Sequence, residues 1–215
     1  MRKALLLCGV VSSIVYLSAD VIGSLRWAGY SYPDQTVSEL AAIGSPSRPL
    51  VMWLFTAYNV LLIAFASGVS LFASNEPAAR RAGNAIGVIG WLGLAAAFFP
   101  IHVRGSESWT VNETMHIVLT SITVFFIVAA IAFGSKIAGD HFRAYSIATI
   151  AITLGFGAWS AWIGRGLGDN LPTPWIGVAE RICIYSYLAW SAVFAVMLLR
   201  AKDESDRISR YAHAA

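Results

Sequence analysis

Charge is scarce in this sequence. Only 13% of its 215 residues are Asp, Glu, Lys or Arg, against about 25% in an ordinary soluble domain. Together with 57% hydrophobic residues, that scarcity excludes a soluble globule and gives the composition of a polytopic membrane protein. Cysteine is almost missing, with only Cys8 and Cys183, so a disulfide-stapled domain is excluded as well. There is no Walker loop, no G-x-S-x-G elbow and no H-E-x-x-H motif. No apolar run carries a lysine suited to a retinal-type Schiff base, and no mid-run histidines face each other as a haem pair would. The net charge of +3 comes without any basic–aromatic motif, so no nucleic-acid partner is expected.

Long apolar runs fill the space left by these absences. Six stand out: Ala4–Ser24, Leu50–Ala73, Ala82–Ile101, Met115–Gly134, Ala144–Ile163 and Arg181–Leu199. Each is close to the ~20 residues that cross a hydrocarbon core as helix. Lipid cannot satisfy free backbone groups, and nothing here alternates like a barrel strand, so the expected fold is all-α. Residues 1–200 form one six-helix transmembrane domain, and 201–215 form a charged cytoplasmic tail. The first run follows Arg2 and Lys3 as a signal peptide would. Bulky Leu17 lies where a small residue is preferred before a cut after Ala19, so the run is taken as a mature helix.

Basic residues set the orientation. With the N-terminus inside, the inner set is Arg2, Lys3, Arg80, Arg81, Lys136, Arg143, Arg200, Lys202, Arg207 and Arg210. The outer set is Arg26, Arg48, Arg104, Arg165 and Arg181. The bias predicts both termini in the cytoplasm, and hence a multi-pass protein of a prokaryotic cytoplasmic membrane. Cys8 and Cys183 fall at opposite ends on this topology and stay unpaired. Small residues predict close helix contacts, with Gly83, Gly87 and Gly90 on one stripe of the third helix. Ser146, Thr149, Thr153, Gly157 and Ser160 do the same on the fifth.

The outer side is the richer one. Its loops, Leu25–Pro49, His102–Thr114 and Gly164–Glu180, carry charge, aromatics and turn residues. Trp27, Trp53, Trp109, Trp159, Trp162 and Trp175 also fall at this boundary. Thr36-Val-Ser-Glu39 has the form of a capping box, with Glu39 reaching back to the Thr36 N–H. It predicts a short helix near residues 36–43, stopped by Gly44 and redirected by Pro46 and Pro49, that lies over the outer mouth of the bundle.

Polar groups near the same level form the candidate site. Asp20 shares a helix face with Ser13, Tyr16 and Ser24 and needs a cation, with Arg181 and Arg26 as candidates. Glu113 and His116 make an E-x-x-H pair, a spacing that presents two ligands to one metal in di-iron bundles. No second copy of the pair exists, and a zinc site needs at least three protein ligands. His102 with Asp20 or Glu39 would complete one only if the fold gathered them, so neither metal nor cofactor is expected. Glu180 and Arg181 are adjacent on a helix and face different ways, which predicts separate partners. The N-x-T sequon at Asn112 is taken as chance.

The motifs SELAAIGSP after the first run, FFPIH after the third, His116 in the fourth and ERICIYSYLAW opening the sixth resemble the domain-of-unknown-function 998 (DUF998) family. That resemblance implies a bacterial or archaeal membrane protein of about six spans and supplies no biochemical activity. Ser38, Glu39, His116 and Arg181 match the family motifs. The family's residue after F-P-x is usually an aspartate, and here it is His102.

Three functions follow from these residues. The first is a polar pocket at the outer leaflet, built from Asp20, Ser38, Glu39, His102, Arg104, Glu113, His116, Glu180 and Arg181. It would bind or process a membrane lipid or small molecule, with histidine suited to proton transfer and arginine to an anionic head group. The second is a non-catalytic structural or assembly protein, whose outer network only locks the bundle. The third, a transporter, lacks charge in the inner half of the spans.

Overall fold

A computed structural model describes residues 2–72, 76–105, 109–169 and 171–212, with 202–212 as backbone. The helices are α1 (Arg2–Arg26), α2 (Arg48–Phe72), α3 (Pro77–Ala96), α4 (Val111–Gly134), α5 (Asp140–Gly164) and α6 (Ile176–Ala212). A 3-10 helix, Val37–Ala41, lies between α1 and α2. No strand occurs among the described residues, apart from one isolated parallel bridge between Ile43 and His102. Five of the six long helices, all but α3, are long and apolar enough to cross a membrane. This is a helical membrane bundle.

Each expected run coincides with a helix, and the third is displaced. It was expected over Ala82–Ile101, yet α3 starts at Pro77 and ends at Ala96. Pro77 suits a first helical turn, where its missing N–H costs nothing. Pro100 disfavours helix in the residue before it, so the FFPIH stretch leaves the helix. The shift brings Arg80 and Arg81 into α3 and lowers its hydropathy. The short helix expected over 36–43 is a single 3-10 turn of five residues. The Lys202, Arg207 and Arg210 side chains and residues 213–215 of the tail lie outside the described residues.

Neighbouring helices pack in the order α5, α6, α1, α2, α3, α4, and α4 and α5 meet only sparingly. The core runs along the centre through Leu6, Leu62, Phe65, Ile86, Ile131, Tyr187, Trp190, Phe194 and Leu198. Trp190 stacks on Phe194 with ring centres 4.9 Å apart. Its indole N–H donates to Ser146 Oγ at 2.9 Å, which ties α6 to the hydroxyl stripe of α5. Thr153 and Ser186 pair at 3.1 Å one level nearer the N-terminal end of α6. The glycine stripe of α3 also packs as expected. A Cβ on Gly83 would lie 2.6 Å from Ser70 Oγ, and one on Gly90 would lie 2.7 Å from Ile63 Cγ1. Gly87 leaves ordinary contact distance to Ala66.

Candidate functional site

The polar layer is built where the loops meet the C-terminal end of α1 and the N-terminal ends of α4 and α6. Asp20 is wholly buried and faces Arg181, itself 3% exposed. Arg181 grips it with two bonds, Nε to Oδ2 at 2.9 Å and Nη2 to Oδ1 at 2.8 Å. Tyr32 donates to Asp20 Oδ2 at 3.1 Å, and the Tyr185 hydroxyl donates to the same oxygen. The rest of the guanidinium is also occupied. Nη1 donates to the carbonyls of Tyr32, Gln35 and Gly177, and Nη2 to Tyr30 Oη at 2.7 Å. The guanidinium also lies 3.6 Å from the centre of the Tyr32 ring. An arginine has five N–H donors, and all five are used here. Of the two cations proposed for Asp20, Arg181 is the partner.

Glu39 makes the second pair. The expected cap forms, with the Thr36 N–H donating to Glu39 Oε2 at 2.7 Å. Arg104 then clasps the same carboxylate through Nε to Oε1 at 2.6 Å and Nη2 to Oε2 at 2.8 Å. Its remaining donors reach Thr173 Oγ1 at 2.7 Å and the Asp34 carbonyl at 2.9 Å. One arginine therefore joins the loops that follow α1, α3 and α5. Glu39 is both a cap and a member of the polar layer.

Glu180 and Arg181 do take different partners. Glu180 accepts from the Val37 N–H and, at 3.2 Å, from Ser38 Oγ. It holds the first residues of the 3-10 helix from below while Glu39 holds them from within. The apolar side of that turn, Val37 and Leu40, is buried beside Val51 of α2. Gly44 follows with φ +90°, a left-handed conformation that glycine adopts freely. There the chain turns away from the bridge that Ile43 makes with His102.

Glu113 and His116 are not joined as a ligand pair. Glu113 Oε2 caps α4, accepting from the Thr110 N–H at 3.0 Å and from the Thr110 hydroxyl. Glu113 Oε1 accepts from the His102 N–H at 3.0 Å and meets His102 Nδ1 at 2.7 Å. His116 Nδ1 is shielded and finds no hydrogen-bond partner among the described residues. No three His, Cys, Asp or Glu side chains gather as a metal-binding set among the described residues. A surface depression lies elsewhere, on α5, lined by Ala151, Ile152, Gly155, Phe156 and Trp159 and by none of the candidate residues.

Several partners were missed from sequence: Tyr30, Tyr32, Asp34, Thr110, Thr173 and Tyr185. A signal existed for two of them. Thr110-Val-Asn-Glu113 repeats the capping form of Thr36-Val-Ser-Glu39. Asp34 carried a second sign, as an acid in a turn. It accepts from the Trp175 N–H and the Ser31 hydroxyl, both at 2.9 Å. Those bonds, the Trp175 one first, hold its carboxyl below the usual aspartate range. Trp175 itself has φ +68°, rare for a bulky residue, and the Asp34 bond holds its backbone there.

The family model described as a protein of unknown function (DUF998) matches residues 10–197. The chain belongs to the DUF998 family. No curated protein and no solved structure matches it. The matched span contains all three loops and every residue of the polar layer. In this DUF998 protein His102, at the place where an acid was expected, serves as the donor to Glu113.

Proposed function

We propose that this DUF998 protein is a non-catalytic membrane component whose outer polar layer is a clasp that fixes the loops over the bundle. One observation carries the proposal: the four carboxylates, Asp20, Glu39, Glu113 and Glu180, are each held by donors from this same chain. The guanidiniums of Arg104 and Arg181 are spent on the same layer. A reaction centre needs an acid, base or cation with a free valence toward substrate, and these residues direct theirs at each other. The role that fits is a rigid extracytoplasmic cap for assembly with another membrane component.

A second function is favoured by His116 alone. Its shielded Nδ1 has capacity for a ligand, and the sparse meeting of α4 with α5 leaves room for lateral approach. On that account the candidate residues line an outer-leaflet pocket for a lipid or small molecule. Glu39→Gln, Arg181→Lys and His116→Gln separate the two. Each is measured for folded yield in detergent and for rescue of the lipid and metabolite profile of a deletion strain. The clasp predicts that Glu39→Gln and Arg181→Lys lose yield and rescue together, while His116→Gln keeps both. Full yield with lost rescue for His116→Gln supports the pocket and defeats the clasp.

Six spans with both termini in the cytoplasm of a prokaryotic cell fit this arrangement. The support is that α3 packs along both α2 and α4, in addition to the basic-residue bias. Reporter fusions at residue 215 and within 164–180 test it. An external C-terminus overturns it.

A further inference from the structure

At the end of the bundle where α3 begins and α4 finishes, two cations converge on one ring. The Arg81 guanidinium lies 5.7 Å from the centre of the Phe133 ring, and the Lys136 ammonium lies 5.9 Å from the same centre. Both cations are exposed, and Phe133 is half-buried against the core. Among the described residues neither cationic group forms an ion pair. The acids nearest in sequence, Glu76 at the N-cap of α3 and Asp140 in the first turn of α5, are not paired with them. Outer arginines behave differently, since Arg48, Arg104 and Arg181 all donate to protein oxygens.

Gathering two like charges on one ring is unfavourable unless an anion joins them. A ring attracts a cation only weakly where water has access. The two side chains divide the work of holding a phosphate: the guanidinium offers a planar fork for two oxygens, and the ammonium a compact charge. Phe133 offers an apolar surface beside them. An anion with an oxygen head and a hydrocarbon body matches all three, and basic clefts between helices at the membrane surface are where anionic lipid head groups bind. We propose that Arg81, Phe133 and Lys136 form a binding site for the phosphate of an anionic phospholipid. The site is separate from the outer clasp and requires only that α3 and α4 end at the membrane surface.

Native mass spectrometry of the full chain in uncharged detergent tests this with phosphatidylglycerol, phosphatidylcholine and inorganic phosphate as probes. Two exposed cations at the membrane surface predict about tenfold greater retention of phosphatidylglycerol than of phosphatidylcholine. Arg81→Gln with Lys136→Gln removes that preference and leaves the melting temperature unchanged. Arg80→Gln with Arg143→Gln removes the same charge away from the ring and keeps the preference. The two single variants, each losing one exposed cation, keep the test decisive if the double variant folds poorly. The proposal fails if the ring variants retain the lipid as well as the native chain does, or if the control pair loses it equally. It also fails if millimolar inorganic phosphate displaces the lipid, which makes the site one for free phosphate.

Discussion

Arg181 and Arg104 do what lysine cannot. Each presents a planar fork to a carboxylate and directs its remaining N–H groups to other loops. Arg181→Lys keeps the charge and loses the fork, which strands Asp20 and several loop carbonyls in a buried place. Breaking a buried pair costs about 3–5 kcal/mol. Thermal unfolding in detergent should show a loss near the lower end of that range, since the lysine keeps one bond. Asp34 gives a pH dependence of known sign. Its carboxyl titrates lower in the folded chain than in the unfolded one. Its contribution is therefore complete above the ordinary aspartate value of about 3.9 and is lost as pH falls through the lower folded value. Tryptophan fluorescence should shift only in that acid window, and Asp34→Asn should abolish the shift.

The elements show which parts of the sequence spoke for themselves. A run of about 20 apolar residues has one solution in lipid, so the five most apolar helices were legible, and α3 was legible with its ends displaced. The α3–α2 seam was legible because glycines at helical spacing leave a groove. Gly83→Leu should therefore lower folded yield severely, as its side chain meets Ser70 and the Ala66 carbonyl, while Gly87→Ala should be nearly neutral. The ends of α3 were misplaced because apolar content outweighed two prolines. Two capping boxes of the same form start helices here, Thr36–Glu39 beside a loop and Thr110–Glu113 at the first turn of α4, where the acid also lies in an E-x-x-H spacing. Thr110→Ala should destabilise α4 by about 1 kcal/mol, measured as a lower melting temperature, and should also weaken the His102 contact.

For the whole molecule, sequence singled out the charged residues and offered Arg181 as one of two partners for Asp20, and left the other pairings open. Asp20, Glu39, Glu113, Glu180, Arg104 and Arg181 were all singled out because charge near a membrane needs a partner. Their pairing depends on how three loops fold over one another. Arg104 finds Glu39 across 65 positions of chain and Arg181 finds Asp20 across 161, distances over which local patterns carry no information. The carboxylates and the two arginines among the candidates pair within the chain, while His116 Nδ1 has no hydrogen-bond partner among the described residues. The central claim, that the layer is a mutual clasp, is tested most directly by a double-mutant cycle on Glu39 and Arg104. Glu39→Gln, Arg104→Gln and the double variant are unfolded thermally in one detergent. The clasp predicts a coupling energy of about 1–3 kcal/mol, with the double variant less destabilised than the two singles added together. A coupling of zero in variants that fold normally would contradict it.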